Sequence, residues 1–200
     1  MWRKMKTMTA TTRFFLWMAL AAVAIYVGGE VASKSAIAAE GGKALVIYYS
    51  WSGNSETIAQ QIQNKTGGDI LKLELVKPYS SNYNACVEEW KRERDTGADR
   101  ELKTRLPNLV QYGTIYICYP IWSSTIPTPI ATMLRQNDFS GKFIMPVASH
   151  GGGGAGKSAL EIARLVPKAK VAEALSLYGT GGDSLSSSLD DWMVENGRVR

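Results

Sequence analysis

One short run of hydroxyl and amide side chains in this sequence has the composition needed to hold a phosphate. It consists of Ser50, Trp51, Ser52, Gly53, Asn54 and Ser55, and it contains no Lys or Arg. Hydroxyl, amide and backbone N–H groups donate hydrogen bonds to anionic oxygens, and each charge-assisted bond contributes roughly 1.5–3 kcal/mol. Several such bonds together can bind a phosphate without a cation. The alternative is an ordinary helix cap, because Ser and Asn are also common at that position.

The segments on either side of this run predict a strand before it and a helix after it. Residues 44–49 are only apolar or aromatic, which is typical of a strand buried on both faces. Ile58, Ala59 and Ile62 fall on one face of a helix whose other face is polar. The first turn of a helix leaves backbone N–H groups without partners and carries partial positive charge. Gly53 lets the backbone approach an anion closely at that point.

Together the strand and the loop resemble the phosphate loop of the flavodoxin family, whose pattern is T/S-x-T/S-G-x-T/S. The resemblance covers about residues 43–198. It implies that the ligand of residues 50–55 is the 5′-phosphate of FMN and that the fold is the flavodoxin-like doubly wound sheet. It also implies that the loops after the third and fourth strands contact the flavin.

A second candidate loop follows the apolar strand predicted at residues 114–119. It contains Pro120, Ile121 and Trp122, at the carboxyl end of a strand, where open α/β sheets bind their ligands. The flat indole suits a wall against a flat ring, whereas the alternative is that Trp122 covers the core. The sequence Y-P-I-W resembles a branch of flavodoxin-like proteins in which an aromatic residue here lines the flavin.

A third candidate loop follows the strand predicted at residues 143–148. It consists of Ser149, His150, Gly151, Gly152, Gly153 and Gly154. The resemblance implies that these glycines let backbone N–H groups approach the pyrimidine edge of the flavin. His150 is either a loop residue without a role or a pH-sensitive neighbour of the ring.

The same glycines offer a competing interpretation as a nucleotide-binding loop. The residues from Gly151 to Ser158 match the pattern G-x-x-x-x-G-K-S of P-loop nucleotide hydrolases. Such a loop also needs a later strand that ends in Asp to help hold magnesium. The one later strand ends in Ser-Leu-Tyr instead, so we keep this as a distant alternative.

The remaining segments complete an alternation of strands and helices. We predict an edge strand at 69–76, followed by a polar crossing at 77–108 that contains a charged helix at 87–95. Three further helices are predicted at 128–135, 155–165 and 187–195, and a last strand at 171–177. Five strands with helices between them and right-handed crossovers give an α/β fold, a three-layer sandwich. The resemblance implies that this sandwich is flavodoxin-like, with a five-stranded parallel sheet in the order 2-1-3-4-5. The first and second candidate loops meet at the point where this order reverses.

Charge and cysteine content exclude some functions. Of 23 basic and 18 acidic residues, five basic and one acidic lie in residues 1–39, so the remainder has a net charge of only +1. We therefore expect no nucleic-acid binding. Cys86 and Cys118 are the only cysteines and lie in a charged helix and a buried strand. With a single histidine besides, we expect no disulfide framework and no metal site.

The first 39 residues predict export from the cytoplasm. Residues 1–13 are basic, residues 14–27 are apolar, and Ala36-Ile37-Ala38 resembles a signal-peptidase site. The leader is either a cleaved signal peptide or an anchor through residues 14–29, followed by a linker, and the domain spans 43–198. We expect an exported, periplasmic or extracytoplasmic protein that touches the membrane only through a retained leader.

These features predict an FMN-binding, flavodoxin-like redox protein that transfers electrons through the flavin. No side chain is predicted to be catalytic, because the flavin itself carries the redox chemistry. The partner is an unidentified redox protein or a small electron acceptor. The alternative is an NAD(P)H-dependent FMN oxidoreductase of the quinone-reductase type.

Overall fold

Strands and helices alternate through most of the part of the chain that the computed structural model describes, residues 42–198. The strands are β1 (Lys43–Tyr48), β2 (Asp69–Lys72), β3 (Tyr112–Pro120), β4 (Phe143–His150), β5 (Lys170–Val171) and β6 (Leu175–Tyr178). The helices are α1 (Asn54–Thr66), α2 (Tyr83–Thr96), α3 (Thr128–Gln136), α4 (Ser158–Leu165) and α5 (Leu185–Glu195). The predicted leader at residues 1–39 lies outside this range. No helix within residues 42–198 has both the length and the apolar character needed to cross a bilayer.

All the strands pair in parallel in the order β2-β1-β3-β4-β5, and β6 also pairs with β4. This confirms the predicted order 2-1-3-4-5. The central strands β1, β3 and β4 are buried almost throughout, as their continuous apolar sequences predict.

Helices cover both faces of the sheet and give the predicted three layers. On one face α1 and α5 pack on the sheet through residues such as Ile58, Ile62 and Leu189. On the other face α2, α3 and α4 pack through residues such as Trp90 and Met133. Because every crossover helix runs antiparallel to the strands, the loops that follow the strands gather at one end of the sheet.

Several boundaries differ from the sequence prediction, and the crossing helix, for example, begins at Tyr83 rather than at residue 87. The edge strand ends at Lys72 rather than at residue 76, because Leu75 instead forms an antiparallel bridge with Leu102. The predicted last strand is split into β5 and β6, so the sheet contains six strands rather than five. Helix α4 begins at Ser158, since Gly154 and Gly156 have positive φ angles that are incompatible with a helix.

Candidate functional site

The loops at the carboxyl ends of the strands enclose a cleft of about 490 Å³. It lies where the strand order reverses between β1 and β3, the position at which open α/β sheets bind ligands. None of the side chains that line it is Lys, Arg, Asp or Glu. The lining residues are Trp51, Ser52, Asn54, Tyr83, Cys86, Val87, Trp90, Pro120, Ile121, Trp122, Ser123, Ser149, His150, Gly151, Tyr178 and Gly179.

At one end of the cleft, the loop after β1 closes onto the start of α1. The Ser50 hydroxyl oxygen accepts a hydrogen bond of 3.0 Å from the Gly53 N–H, which folds the loop back on itself. Gly53 has φ 94°, in the left-handed region that favours glycine, and it caps α1 without a side chain. The backbone N–H groups of the first turn of α1 therefore have neither an intrahelical partner nor a side-chain cap.

The hydroxyl of Ser55, the second residue of α1, is the most informative atom in this loop. Ser55 is 1% exposed, and its Oγ has no hydrogen-bond partner within residues 42–198. A buried hydroxyl without a partner costs about 1–3 kcal/mol, so native proteins rarely keep one without a reason. A bound anion at the start of α1 would supply the missing partner.

Glu56 adds a negative charge to the first turn of α1, but two partners hold its carboxylate. The Tyr48 hydroxyl donates to Oε1 at 2.9 Å, and the Lys72 ammonium lies 3.4 Å from Oε2. Burial and the neighbouring Glu56 carboxylate together raise the pKa of Tyr48 to about 12, so Tyr48 remains a donor. The loop can therefore attract an anion despite Glu56.

Trp122 lies on the wall of the cleft and packs edge-on against three other aromatic rings. Its ring centroid is 5.1 Å from that of Tyr79 and 6.0 Å from those of both Tyr49 and Trp90. The Trp122 side chain lines the cleft and also packs against the core cluster, so its position is compatible with both sequence interpretations. Each such edge-to-face pair stabilises the fold by about 0.5–1.5 kcal/mol in addition to the stabilisation from burial of the rings.

A tight turn after Trp122 fixes the position of this indole. Trp122 and Thr125 exchange two backbone hydrogen bonds, while Ser123 and Ser124 both have positive φ angles. The Ser124 carbonyl accepts a 2.8 Å bond from the Lys157 N–H. A Cβ at Gly156 would collide with that same carbonyl, so the close approach requires glycine there.

An ion-pair network lies behind the aromatic wall and is formed from the crossing that includes α2. The Arg100 guanidinium bonds to Glu93 at 2.5 Å and to Glu89 at 3.0 Å, and these side chains are mostly buried. It also stacks 3.9 Å from the centre of the Tyr79 ring, and the Tyr79 hydroxyl donates to Glu93. The network thereby anchors the ring that supports Trp122.

The loop after β4 forms the opposite rim of the cleft. His150 Nδ1 accepts a 3.0 Å hydrogen bond from the Gly152 N–H, and its ring packs edge-on against Tyr178. The Ser149 hydroxyl donates to the Gly179 carbonyl at 2.6 Å, which ties this loop to the end of β6. Gly151, Gly152 and Gly153 have open space where a side chain would stand, so packing within the protein does not require them to be glycine.

This arrangement matches a known family over most of the chain. A family model described as flavodoxin matches residues 43–196. The chain belongs to the flavodoxin family. No curated protein matches it.

Solved structures with the same flavodoxin-like fold have modest sequence identity to this chain. A protein described as a flavoprotein, from Bacteroides eggerthii DSM 20697, is 26% identical with a TM-score of 0.62, over 76% of this chain and 98% of that chain. A second protein described as a flavoprotein, from Bacteroides uniformis ATCC 8492, is 24% identical with a TM-score of 0.63, over 75% of this chain and 99% of that chain. A flavoprotein from Lactobacillus acidophilus NCFM, solved in complex with FMN, is 19% identical with a TM-score of 0.59, over 76% and 98%.

The structure brings together most of the site residues predicted from the flavodoxin resemblance. Those that line the cleft are Trp51, Ser52, Asn54, Pro120, Ile121, Trp122, Ser149, His150 and Gly151. The other predicted residues belong to the same loops or the start of α1 but do not line the cleft, and they are Ser50, Gly53, Ser55, Gly152, Gly153 and Gly154. Ser50 and Gly53 shape the first loop instead of facing the cleft.

Sequence reasoning missed the wall that α2 contributes. Four residues of α2 line the cleft, although the sequence indicated here only a polar crossing with a charged helix; they are Tyr83, Cys86, Val87 and Trp90. Their spacing of i, i+3, i+4 and i+7 places them on one helical face, and this apolar stripe is the signal that could have identified the wall. Burial, reinforced by the Glu89 carboxylate, raises the pKa of the Cys86 thiol to about 11, so the thiol stays protonated.

The structure argues against the nucleotide-hydrolase interpretation of residues 151–158. Ser158 is fully buried; its hydroxyl donates to the Ala155 carbonyl and accepts a bond from the Tyr119 hydroxyl. The Lys157 N–H is already bonded to Ser124. A P-loop needs that serine for magnesium and its backbone N–H groups for phosphates, so this flavodoxin-like chain does not form one.

Proposed function

We propose that this protein binds FMN in the cleft and transfers electrons through it. The single observation that carries the proposal is the Ser55 hydroxyl, buried without a partner at the start of α1 and beside an uncharged aromatic cleft. A group with an anionic phosphate and a flat ring fits both features. The Lactobacillus relative, which has the same fold, was solved with FMN. Bound FMN supplies the redox chemistry.

The residues of this chain bind and orient the cofactor. Ser52 and Asn54 line the cleft beside the first turn of α1, whose N–H groups and partial positive charge favour a phosphate. Trp51 and Trp122 offer flat apolar surfaces for the ring and exclude water from it. The Trp51 indole N–H donates to the Ser80 carbonyl at 3.0 Å, which holds that ring in place.

The uncharged lining of the cleft supports an electron carrier over an NADPH-dependent enzyme. The 2′-phosphate of NADP is commonly recognised by a neighbouring Arg, and the residues that line this cleft include neither Arg nor Lys. An NADPH oxidoreductase therefore remains the second candidate. It would be favoured by rapid reduction of the bound flavin on addition of NADPH alone.

The proposal is tested with purified protein lacking residues 1–39. We expect it to be yellow or to take up FMN stoichiometrically, with quenched flavin fluorescence, and to bind riboflavin more weakly because riboflavin lacks the phosphate. Chemical reduction should reduce the bound flavin, whereas NADPH should not. A colourless protein that takes up no FMN from an excess would overturn the proposal.

The Trp122 side chain should affect both stability and the flavin potential. An electron-rich wall disfavours the electron-rich reduced ring, so Trp122→Ala is expected to raise the midpoint potential. A contact of about 0.5–1.5 kcal/mol corresponds to roughly 20–60 mV for a one-electron step. The truncation should also lower the free energy of unfolding by about 3 kcal/mol, since three ring contacts are lost.

A matched control separates these two effects of Trp122→Ala. Trp192 is 6% exposed in α5 and packs in the layer on the other face of the sheet, away from the cleft. Trp192→Ala should destabilise the fold by a similar amount and leave the potential of bound FMN unchanged. If redox titration gives equal potentials for Trp122→Ala and wild type, Trp122 does not contact the flavin.

We also propose that residues 1–39 direct export and that the domain works outside the cytoplasm. The support is the charge and hydropathy pattern of the leader. Alkaline phosphatase fused after residue 40 should be active in a bacterial host, because the enzyme folds only after export. Replacing Ala21 and Val23 in the apolar run with Arg should abolish that activity. An inactive parent fusion would contradict export.

A further inference from the structure

Four basic residues lie at the end of the sheet opposite the cleft, and two of them pack on the Phe143 ring. We call Lys142, Lys168, Lys170 and Arg198 the basic edge. The Lys170 ammonium lies 5.2 Å from the centre of the Phe143 ring, and the Arg198 guanidinium lies 4.2 Å from it. Backbone hydrogen bonds from Lys170 to Lys142 and from Gly141 to Lys168 bring the other two lysines alongside.

The positive charge of the basic edge is largely uncompensated. None of its four side chains forms an ion pair with a carboxylate of residues 42–198. The neighbouring acid is Asp138, whose carboxylate accepts hydrogen bonds from the Ser140 N–H and hydroxyl. These bonds, and further the charges of Lys168 and Lys142, lower the pKa of Asp138, so this carboxylate offsets part of the charge of those two lysines. In addition, the Arg198 Nε is buried without a hydrogen-bond partner among the described residues. The patch is therefore a concentrated cationic surface on a domain that is otherwise close to neutral.

The register of the sheet places the point where the chain enters the domain at this same end. Ala44, Thr114, Phe143 and Lys170 pair across four adjacent strands. Three strand spacings separate Ala44 from Lys170, which is about 14 Å. The cleft lies at the other end of β4, a strand of eight residues and hence about 23 Å long. Entry point and basic edge thus share one side of the domain, and the cleft faces the other.

We propose that the basic edge binds the surface of a membrane that contains anionic phospholipids. Its unpaired lysines match the negative headgroups, and near such a surface each Lys or Arg contributes about 1 kcal/mol. Gly42, at which the domain begins, lies at this same end, and the sequence predicts an apolar segment at residues 14–29. The cleft then faces away from the bilayer, so that its partner approaches from the aqueous side.

Vesicle binding tests this inference independently of FMN. The match to the Bacteroides eggerthii protein takes in 98% of that chain but only 76% of this one, so a protein of the length of the domain alone has this fold, and the domain can be studied without its leader. We expect protein lacking residues 1–39 to sediment with vesicles of equal parts phosphatidylglycerol and phosphatidylcholine at low salt. It should not sediment with pure phosphatidylcholine vesicles, and added salt should release it. Absence of binding to the anionic vesicles would overturn the inference, whatever the outcome with FMN.

Two triple variants with equal net charge show whether the position of the lysines matters. Lys142→Gln/Lys168→Gln/Lys170→Gln should weaken vesicle binding about a hundredfold, at about fivefold per lysine. Lys91→Gln/Lys103→Gln/Lys157→Gln removes the same charge elsewhere and should change binding far less. Equal losses in the two variants would show that net charge alone governs binding and would refute the basic edge. Circular dichroism confirms that both variants are folded.

Discussion

Ser55→Ala is expected to weaken FMN binding at least about tenfold and to leave the flavin-free protein at least as stable as wild type. Affinity falls while stability does not, because the Ser55 hydroxyl has no partner in the described part of the chain and its removal breaks no hydrogen bond of the fold. Its proposed partner is the phosphate, and a hydrogen bond to a charged group contributes about 1.5–3 kcal/mol. We expect rotation about the Cα–Cβ bond to direct the hydroxyl toward the bound phosphate.

Riboflavin and a second buried serine provide the controls for this prediction. Ser55→Ala should leave the affinity for riboflavin unchanged, since riboflavin has no phosphate. The ratio of FMN affinity to riboflavin affinity should therefore fall. Ser158 also begins a helix and is fully buried, but its hydroxyl bonds to Tyr119 and Ala155. Ser158→Ala should therefore lower the free energy of unfolding by about 1–3 kcal/mol and preserve the preference for FMN.

Fluorescence titration measures the affinities for FMN and riboflavin, and urea unfolding measures the free energy of unfolding. An unchanged FMN affinity in Ser55→Ala would show that this hydroxyl does not contact the phosphate. A loss of riboflavin affinity equal to the loss of FMN affinity would instead indicate damage to the whole cleft.

The fold could be predicted from the sequence because the central strands β1 and β3 are continuous apolar segments. Residues 44–48 and 114–119 are apolar or aromatic almost throughout, which predicts strands buried in a parallel sheet. Right-handed crossovers predict helices on both faces, and the flavodoxin resemblance supplied the strand order. The loops that follow them must then meet at one end. This is why the Ser52 and Trp122 loops could be placed together from sequence.

The wall formed by α2 was missed because its apolar stripe lies within a strongly charged helix, whereas the rim formed by Tyr178 depends on information that local patterns do not contain. Helix α2 is strongly charged, and four aromatic or apolar side chains on one face decide which side meets the cleft. Tyr178 reaches His150 only because the two residues pair across β6 and β4. This register depends on the interruption of the strand between β5 and β6. The pattern of apolar residues in 170–178 does not predict that interruption.

Arg100→Met is expected to lower the free energy of unfolding by about 3–5 kcal/mol at pH 7, because it leaves two mostly buried carboxylates without their cation. The Arg100 side chain is 12% exposed, and those of Glu93 and Glu89 are 11% and 20% exposed. The substitution also removes the guanidinium that stacks on Tyr79, and so loosens the support of Trp122. FMN affinity should therefore fall as well.

The pH dependence of this loss follows from the pKa of Glu89. Burial alone raises that pKa, but hydrogen bonds from Arg100 and the Ser80 N–H outweigh burial and lower it. A lowered pKa stabilises the wild-type fold above the unfolded value of about 4.3, and this contribution is lost as the pH falls through the folded value. In Arg100→Met, burial acts on Glu89 without the cation and raises its pKa. The destabilisation should then be largest near pH 8 and become smaller toward pH 5.

A triple variant distinguishes unpaired charge from lost packing. Glu89→Gln/Glu93→Gln/Arg100→Met removes all three charges, and replacing a buried ionic cluster by neutral groups is often close to neutral in stability. It should recover most of the stability that Arg100→Met loses and show little dependence on pH between 5 and 8. If the triple variant is as unstable as Arg100→Met, the guanidinium acts mainly by packing on Tyr79, and the ion pairs contribute little.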